Sequence, residues 1–92
     1  MTTDTQELYQ RARSTWGDTA QIDLCIEELA ELIVALQHYR RGRCHTPEVV
    51  EELADVLIMV EQVTAILDVD CAVRARKRDK LARLEQRLGD KS

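Results

Sequence analysis

The chain has no Phe, one Trp, one Pro and only three Gly in 92 residues. Such scarcity of turn formers and aromatics excludes a many-stranded sheet with tight hairpins and favours long helices with aliphatic faces. Long apolar runs are missing too. The longest, Leu32–Leu36 and Val56–Val60, fall far below the roughly 18 residues a membrane span requires. Met1 to Gln10 is polar and lacks the apolar h-region of a secretory signal, so a soluble protein without a membrane partner is expected. Cys25, Cys44 and Cys71 are odd in number and lack CxxC spacing, which suits a reducing cytoplasm better than a disulfide framework. His38, Cys44 and His45 match no usual zinc finger or ribbon.

Aliphatic residues and charge are what the chain has in quantity: 45% hydrophobic and 33% charged, with a net charge of −4. At this length one domain is expected, and a short chain buries a smaller fraction of its surface than a long one, so oligomerisation is the expected way to complete the core. The negative balance argues against a surface built wholly for nucleic acid. Charge is nevertheless uneven. Glu48 to Glu61 is acidic, whereas Arg74 to Lys80 carries five basic residues and one Asp.

Four helices are expected. The first runs from about Asp4 to Arg13, where the turn formers of Ser14-Thr15-Trp16-Gly17-Asp18 break it. The second continues to about Arg40 and stops near Gly42, which readily takes the left-handed conformation beyond a helix end. Thr46-Pro47-Glu48 restarts the chain with an N-cap residue, a proline at the first helical position and an acid in the first turn. That third helix spans roughly Pro47 to Leu67. Asp68-Val69-Asp70 interrupts the pattern, and Asp70 caps a fourth helix ending near Leu88 and Gly89. Short connections make a four-helix antiparallel bundle the simplest all-α architecture.

Placing acids on helical wheels, at about 100° per residue, exposes an anomaly. On the third helix Glu52 shares a stripe with Val49, Val56, Met59, Val63 and Ile66, and Asp55 sits at the edge of that stripe. On the second, Glu28 shares its face with Leu24, Leu32 and Ala35, and Glu31 follows three residues on. A carboxylate amid core positions costs several kcal/mol unless something pairs with it. An ordinary Lys or Arg partner is one solution; a divalent cation is the other. Two acids at i and i+3 are neighbours on a helix surface, so two adjacent helices bring four carboxylates to one point. Mg²⁺, which takes oxygen ligands and retains waters beside substrate phosphates, fits such a site, with Mn²⁺ as a possible substitute. Glu27, Glu48, Glu51 and Glu61 read as solvated surface.

Glu27-Glu-Leu-Ala-Glu31, followed after twenty residues by Glu52-Leu-Ala-Asp55, resembles the EExxE…ExxD signature of the all-α nucleoside triphosphate pyrophosphohydrolases typified by MazG. Trp16-Gly17 and Gln21 before the first motif, and Val56-Leu-Ile-Met after the second, are similar as well. The resemblance covers roughly residues 16 to 88. It implies Mg²⁺-dependent hydrolysis of (deoxy)nucleoside triphosphates to monophosphate and pyrophosphate, with Glu28, Glu31, Glu52 and Asp55 as metal ligands. It also implies a homodimer, or a homotetramer made of two dimers, in which helices from different subunits complete each site. Members act on dUTP, dCTP or phosphoribosyl-ATP, and a house-cleaning role toward the nucleotide pool is one expectation.

In that chemistry Glu28 or Glu27 is the candidate to orient the attacking water. Lys77, on one stripe with Val73, Leu81, Leu84 and Leu88 and flanked by Arg74 and Lys80, is the candidate phosphate site; a lysine snorkelling over apolar surface is the alternative. Trp16 and Gln21 are candidates to contact the base, although Trp16 reads first as a structural aromatic. Family members often place an asparagine near the nucleotide, and this chain has none, which leaves base preference open. Two readings from other classes compete: a non-catalytic acidic helical oligomer acting as an interaction module, which leaves Glu28 and Glu52 unexplained, and a nucleic-acid contact through Arg74 to Lys80.

Overall fold

A computed structural model describes residues 4–91, which form four α-helices and no strand: α1 (Thr5–Trp16), α2 (Asp18–Arg40), α3 (Thr46–Ile66) and α4 (Asp70–Asp90). Met1 to Thr3, the start of the polar segment read as carrying no secretory signal, and Ser92 lie outside that range.

Helix α1 runs three residues past its expected end at Arg13 and stops within the expected break. Ser14 and Thr15 do not end it, because the Thr15 hydroxyl donates to the Arg11 carbonyl at 2.7 Å and is satisfied within the helix. Gly17 alone turns the chain, with φ 89° and ψ 158°, a conformation that belongs to glycine. The Arg13 guanidinium grips the Asp18 carboxylate across this corner at 2.6 and 3.1 Å. At the other end of α1 the Asp4 side chain accepts from the Gln6 N–H at 3.0 Å, an N-cap. Tyr9 donates to Glu61 at 2.5 Å and ties α1 to α3.

Gly42 takes φ 70° just beyond α2, as expected, and the Arg43 N–H reaches back to the His38 carbonyl at 2.8 Å. Helix α3 begins one residue earlier than expected, with His45 as the cap residue. The Glu48 carboxylate accepts from the His45 N–H at 3.0 Å, one arm of a capping box. After α3, Asp68 occupies the left-handed position at φ 55°, and the Val69 N–H closes on the Thr64 carbonyl at 3.1 Å. This is a Schellman-type stop with Asp in the usual place of Gly. Asp70 is the first residue of α4 rather than its cap, and Gly89 lies inside the last turn.

The principal packing is between α2 and α3; α1 rests more lightly on α2, and α4 meets the rest of the chain mainly where it leaves α3. The interior is correspondingly thin. Among the described residues only Gln21, Cys25, Met59 and Gln62 are buried, and the Gln62 amide donates to the Met59 sulfur at 3.4 Å. The radius of gyration, 16.5 Å, exceeds the roughly 12 Å that a compact chain of this length would show. Val73, Lys77, Leu81, Leu84 and Leu88, the expected inner stripe of α4, are all exposed. Among the described residues no helix is long and apolar enough to cross a membrane.

Candidate metal centre

The α2–α3 seam follows the helical stripes closely. On α3 the less exposed positions include Val49, Glu52, Val56, Met59, Val63 and Ile66, with Gln62, Thr64 and Ala65 beside them; on α2 they include Gln21, Cys25, Glu28, Leu32 and Ala35. Glu28 and Glu52 thus stand in the seam itself, half-buried, whereas Glu31 and Asp55 lie on its exposed edge. One carboxylate oxygen from each of Glu28, Glu31 and Glu52 falls within 4.8 Å of the others. Asp55 completes the group electrostatically, being close enough to Glu28 and Glu52 to act on the charge of both.

The electrostatics of this cluster are unfavourable as it stands. Removal from water, followed by the charges of Glu31, Asp55 and Glu52, pushes the Glu28 carboxyl above its ordinary value; Glu52 is pushed the same way by removal from water, then by Glu31 and Asp55. Oε2 of Glu28 and Oε2 of Glu52 are shut from water and meet no hydrogen-bond donor. Glu28 stands beside Asp55 and Glu52 beside Glu31 at hydrogen-bonding range. Ionised carboxylates only accept, so either contact becomes a bond only when a proton or a cation lies between the oxygens.

No basic residue fills that role. The ion pairs among the described residues, Arg13 with Asp18, Arg74 with Asp70 and Arg76 with Asp79, leave all four acids out. An ordinary buried salt bridge, the competing explanation for acids at core positions, is therefore not what the fold builds. Oxygen-only donors from two helices, some sequestered and some open to solvent, match what a hard divalent cation requires. Residues that fit such an ion are Glu28, Glu31 and Glu52, with Asp55 at the margin.

The remaining candidates are scattered. Glu27 is not part of the cluster and lines a separate groove of about 470 Å³ with Trp16, Gln21, Asp23 and Leu24. Trp16 is 66% exposed while Gln21 is 3% exposed, so within this chain only the indole is free to meet a ligand. Arg74, Lys77 and Lys80 are exposed on α4, which does not pack on α2. Lys77 and Lys80 line a groove of about 570 Å³ along α4 that includes none of the acids. His38, Cys44 and His45 join no group of three clustered metal-ligating side chains among the described residues.

Sequence reasoning missed a groove next to the acids. It has a volume of about 410 Å³ and is lined by Ala30, Val34, Ala35, His38, Cys44 and Glu48 together with Glu31 and Glu52. No spacing in the sequence marks it, because its lining joins α2 to residues beyond the α2–α3 turn. The chain matches no family model, no curated protein and no solved structure.

Proposed function

We propose that this protein is a divalent-cation-dependent hydrolase of nucleoside triphosphates that releases monophosphate and pyrophosphate, as its two acidic motifs resemble those of MazG-like enzymes. The observation that carries the reading is the meeting of Glu28, Glu31 and Glu52 across the α2–α3 seam, with two sequestered oxygens that no donor and no basic side chain satisfies. Mg²⁺ is the expected ion. Bound there, it would supply the positive charge that offsets the triphosphate and makes water easier to deprotonate.

The residues of the chain divide the rest of the work. In the hydrolysis a water oxygen bonds to the α-phosphorus, the bond from that phosphorus to the bridging oxygen breaks, and pyrophosphate leaves with the electron pair. The water's proton needs an acceptor. Glu28, beside the ion, is the candidate to take it with an oxygen not committed to the metal; Glu27, lining the Trp16 groove, is the weaker candidate. Arg74, Lys77 and Lys80 are the cations available to the departing pyrophosphate. Because α4 stands away from α2 in its own chain, these side chains would reach an acidic centre from a second subunit. A homodimer, or two dimers as a tetramer, with helices packed antiparallel as a bundle, would also cover the exposed leucines of α4.

A pyrophosphate-release assay over canonical and modified nucleotides with Mg²⁺ tests the reading, with Glu52→Gln as the control. We expect wild-type turnover and a loss of about 10²–10³-fold in the variant, comparable to removing a principal electrostatic group from other active sites. The variant should keep its helical signal and, without cation, melt no lower than wild type, because one of several crowded charges is gone. Undiminished turnover by Glu52→Gln would remove this centre from the chemistry.

A further inference from the structure

The acids are not isolated on the surface. Glu31 and Glu52 line both the candidate metal centre and the 410 Å³ groove that runs on toward the α2–α3 turn. We infer that this groove receives the nucleobase of the nucleotide whose phosphates the carboxylates hold, an assignment that rests on the nucleotide reading given above.

Three observations carry it. A nucleotide's base is separated from its α-phosphorus by a single sugar, and the 410 Å³ groove is the one that shares Glu31 and Glu52 with the acids. Three other grooves contain none of Glu28, Glu31 and Glu52: one lies along α4, one between α1 and α3 beside Leu8 and Ile58, and one beside Trp16 and Gln21. The volume lies within the roughly 300–1,000 Å³ of small-molecule sites. The chemistry also suits a flat ring. Ala30, Val34 and Ala35 form a low apolar wall, and His38, Cys44 and Glu48 supply the polar end. An imidazole face stacks on a base, and the carboxylate offers an in-plane hydrogen-bond acceptor. Cys44 is anchored here, its Sγ lying 3.6 Å from the Ala35 carbonyl oxygen.

Cys44 also provides a readout independent of turnover. Cys25 is buried and Cys71 lies on α4, outside the groove; with Cys71 replaced by serine, maleimide labelling followed by mass spectrometry reports on Cys44. The probes are Mg²⁺ with an α,β-methylene nucleoside triphosphate, and Mg²⁺ with inorganic tripolyphosphate. The nucleotide analogue should slow Cys44 labelling about tenfold when present at ten times its Kd, since protection scales as one plus the ratio of ligand to Kd. Tripolyphosphate, which has no base, should leave the rate unchanged. Val34→Trp, a change at a half-exposed position that fills the groove, should raise KM about tenfold and move kcat less than about twofold, the pattern of lost substrate binding.

Equal labelling with and without the nucleotide analogue, together with unaltered KM in Val34→Trp and wild-type turnover intact, would overturn this assignment alone and leave the hydrolase reading standing. A rise in KM for Trp16→Ala in that same case would move the base to the Trp16 groove. Protection by tripolyphosphate equal to that by the nucleotide would show the groove closing on phosphate rather than holding a base, and would also overturn it. Absence of any Mg²⁺-dependent nucleotide hydrolysis by wild type would remove both readings together.

Discussion

Glu28 and Glu52 hold oxygens away from water with nothing to meet them, so their protonation depends on what enters the seam. Both carboxyls are raised from the ordinary value of 4.5, first by removal from water and then by neighbouring acids. An acid whose folded-state value is raised favours folding while protonated; that contribution is present at and below its unfolded value and is lost as pH climbs through the folded one. In cation-free buffer the melting temperature should therefore rise as pH is lowered from neutral toward that of an ordinary glutamate. Millimolar Mg²⁺ should flatten the profile by taking the proton's place, and the double variant Glu28→Gln with Glu52→Gln should be flat without it. A wild-type melting temperature that falls steadily with acid in cation-free buffer would mean that these carboxylates gain more from partners than they lose to crowding.

The elements show where pattern alone suffices and where it stops. Helix number, the stop at Gly42, the restart at Thr46 and the two acidic stripes were legible because each follows from a local rule of spacing or capping. The placement of Glu52 was legible for the same reason, since the positions sharing its stripe are among those the fold protects. The end of α1 was not: Ser14 and Thr15 look like turn formers, but the Thr15 hydroxyl finds a carbonyl inside the helix and the turn is left to Gly17. Gly17→Ala should accordingly cost about 1–3 kcal/mol, the usual cost of holding a side chain in such a backbone region, read as a fall in denaturant midpoint. An unchanged midpoint would show that the α1–α2 corner is held by Arg13 and Asp18 whatever the residue between. The groove at Ala35 and Cys44 was illegible for a different reason, because it joins residues from two helices across a turn.

The whole molecule presents an acidic seam at one place and an uncovered, basic, leucine-bearing helix at another. No periodicity argument shows whether the α4 stripe packs within its own chain; the arrangement of the helices leaves Val73, Leu81 and Leu84 exposed there. Light scattering should give a particle of two or four times 10.6 kDa, and Leu81→Glu with Leu84→Glu should reduce it toward a single chain; a wild-type particle of one chain mass would leave the cations of α4 without a route to the acids. The central claim, that acids at interior positions are there to hold a divalent ion, is tested most directly by titrating Mn²⁺ and following its electron paramagnetic resonance signal. Wild-type protein should quench the signal of the free hydrated ion stoichiometrically, with Mg²⁺ competing and with Glu28→Gln and Glu52→Gln each abolishing the effect. A free-ion signal equally strong with and without the wild-type protein would contradict the account.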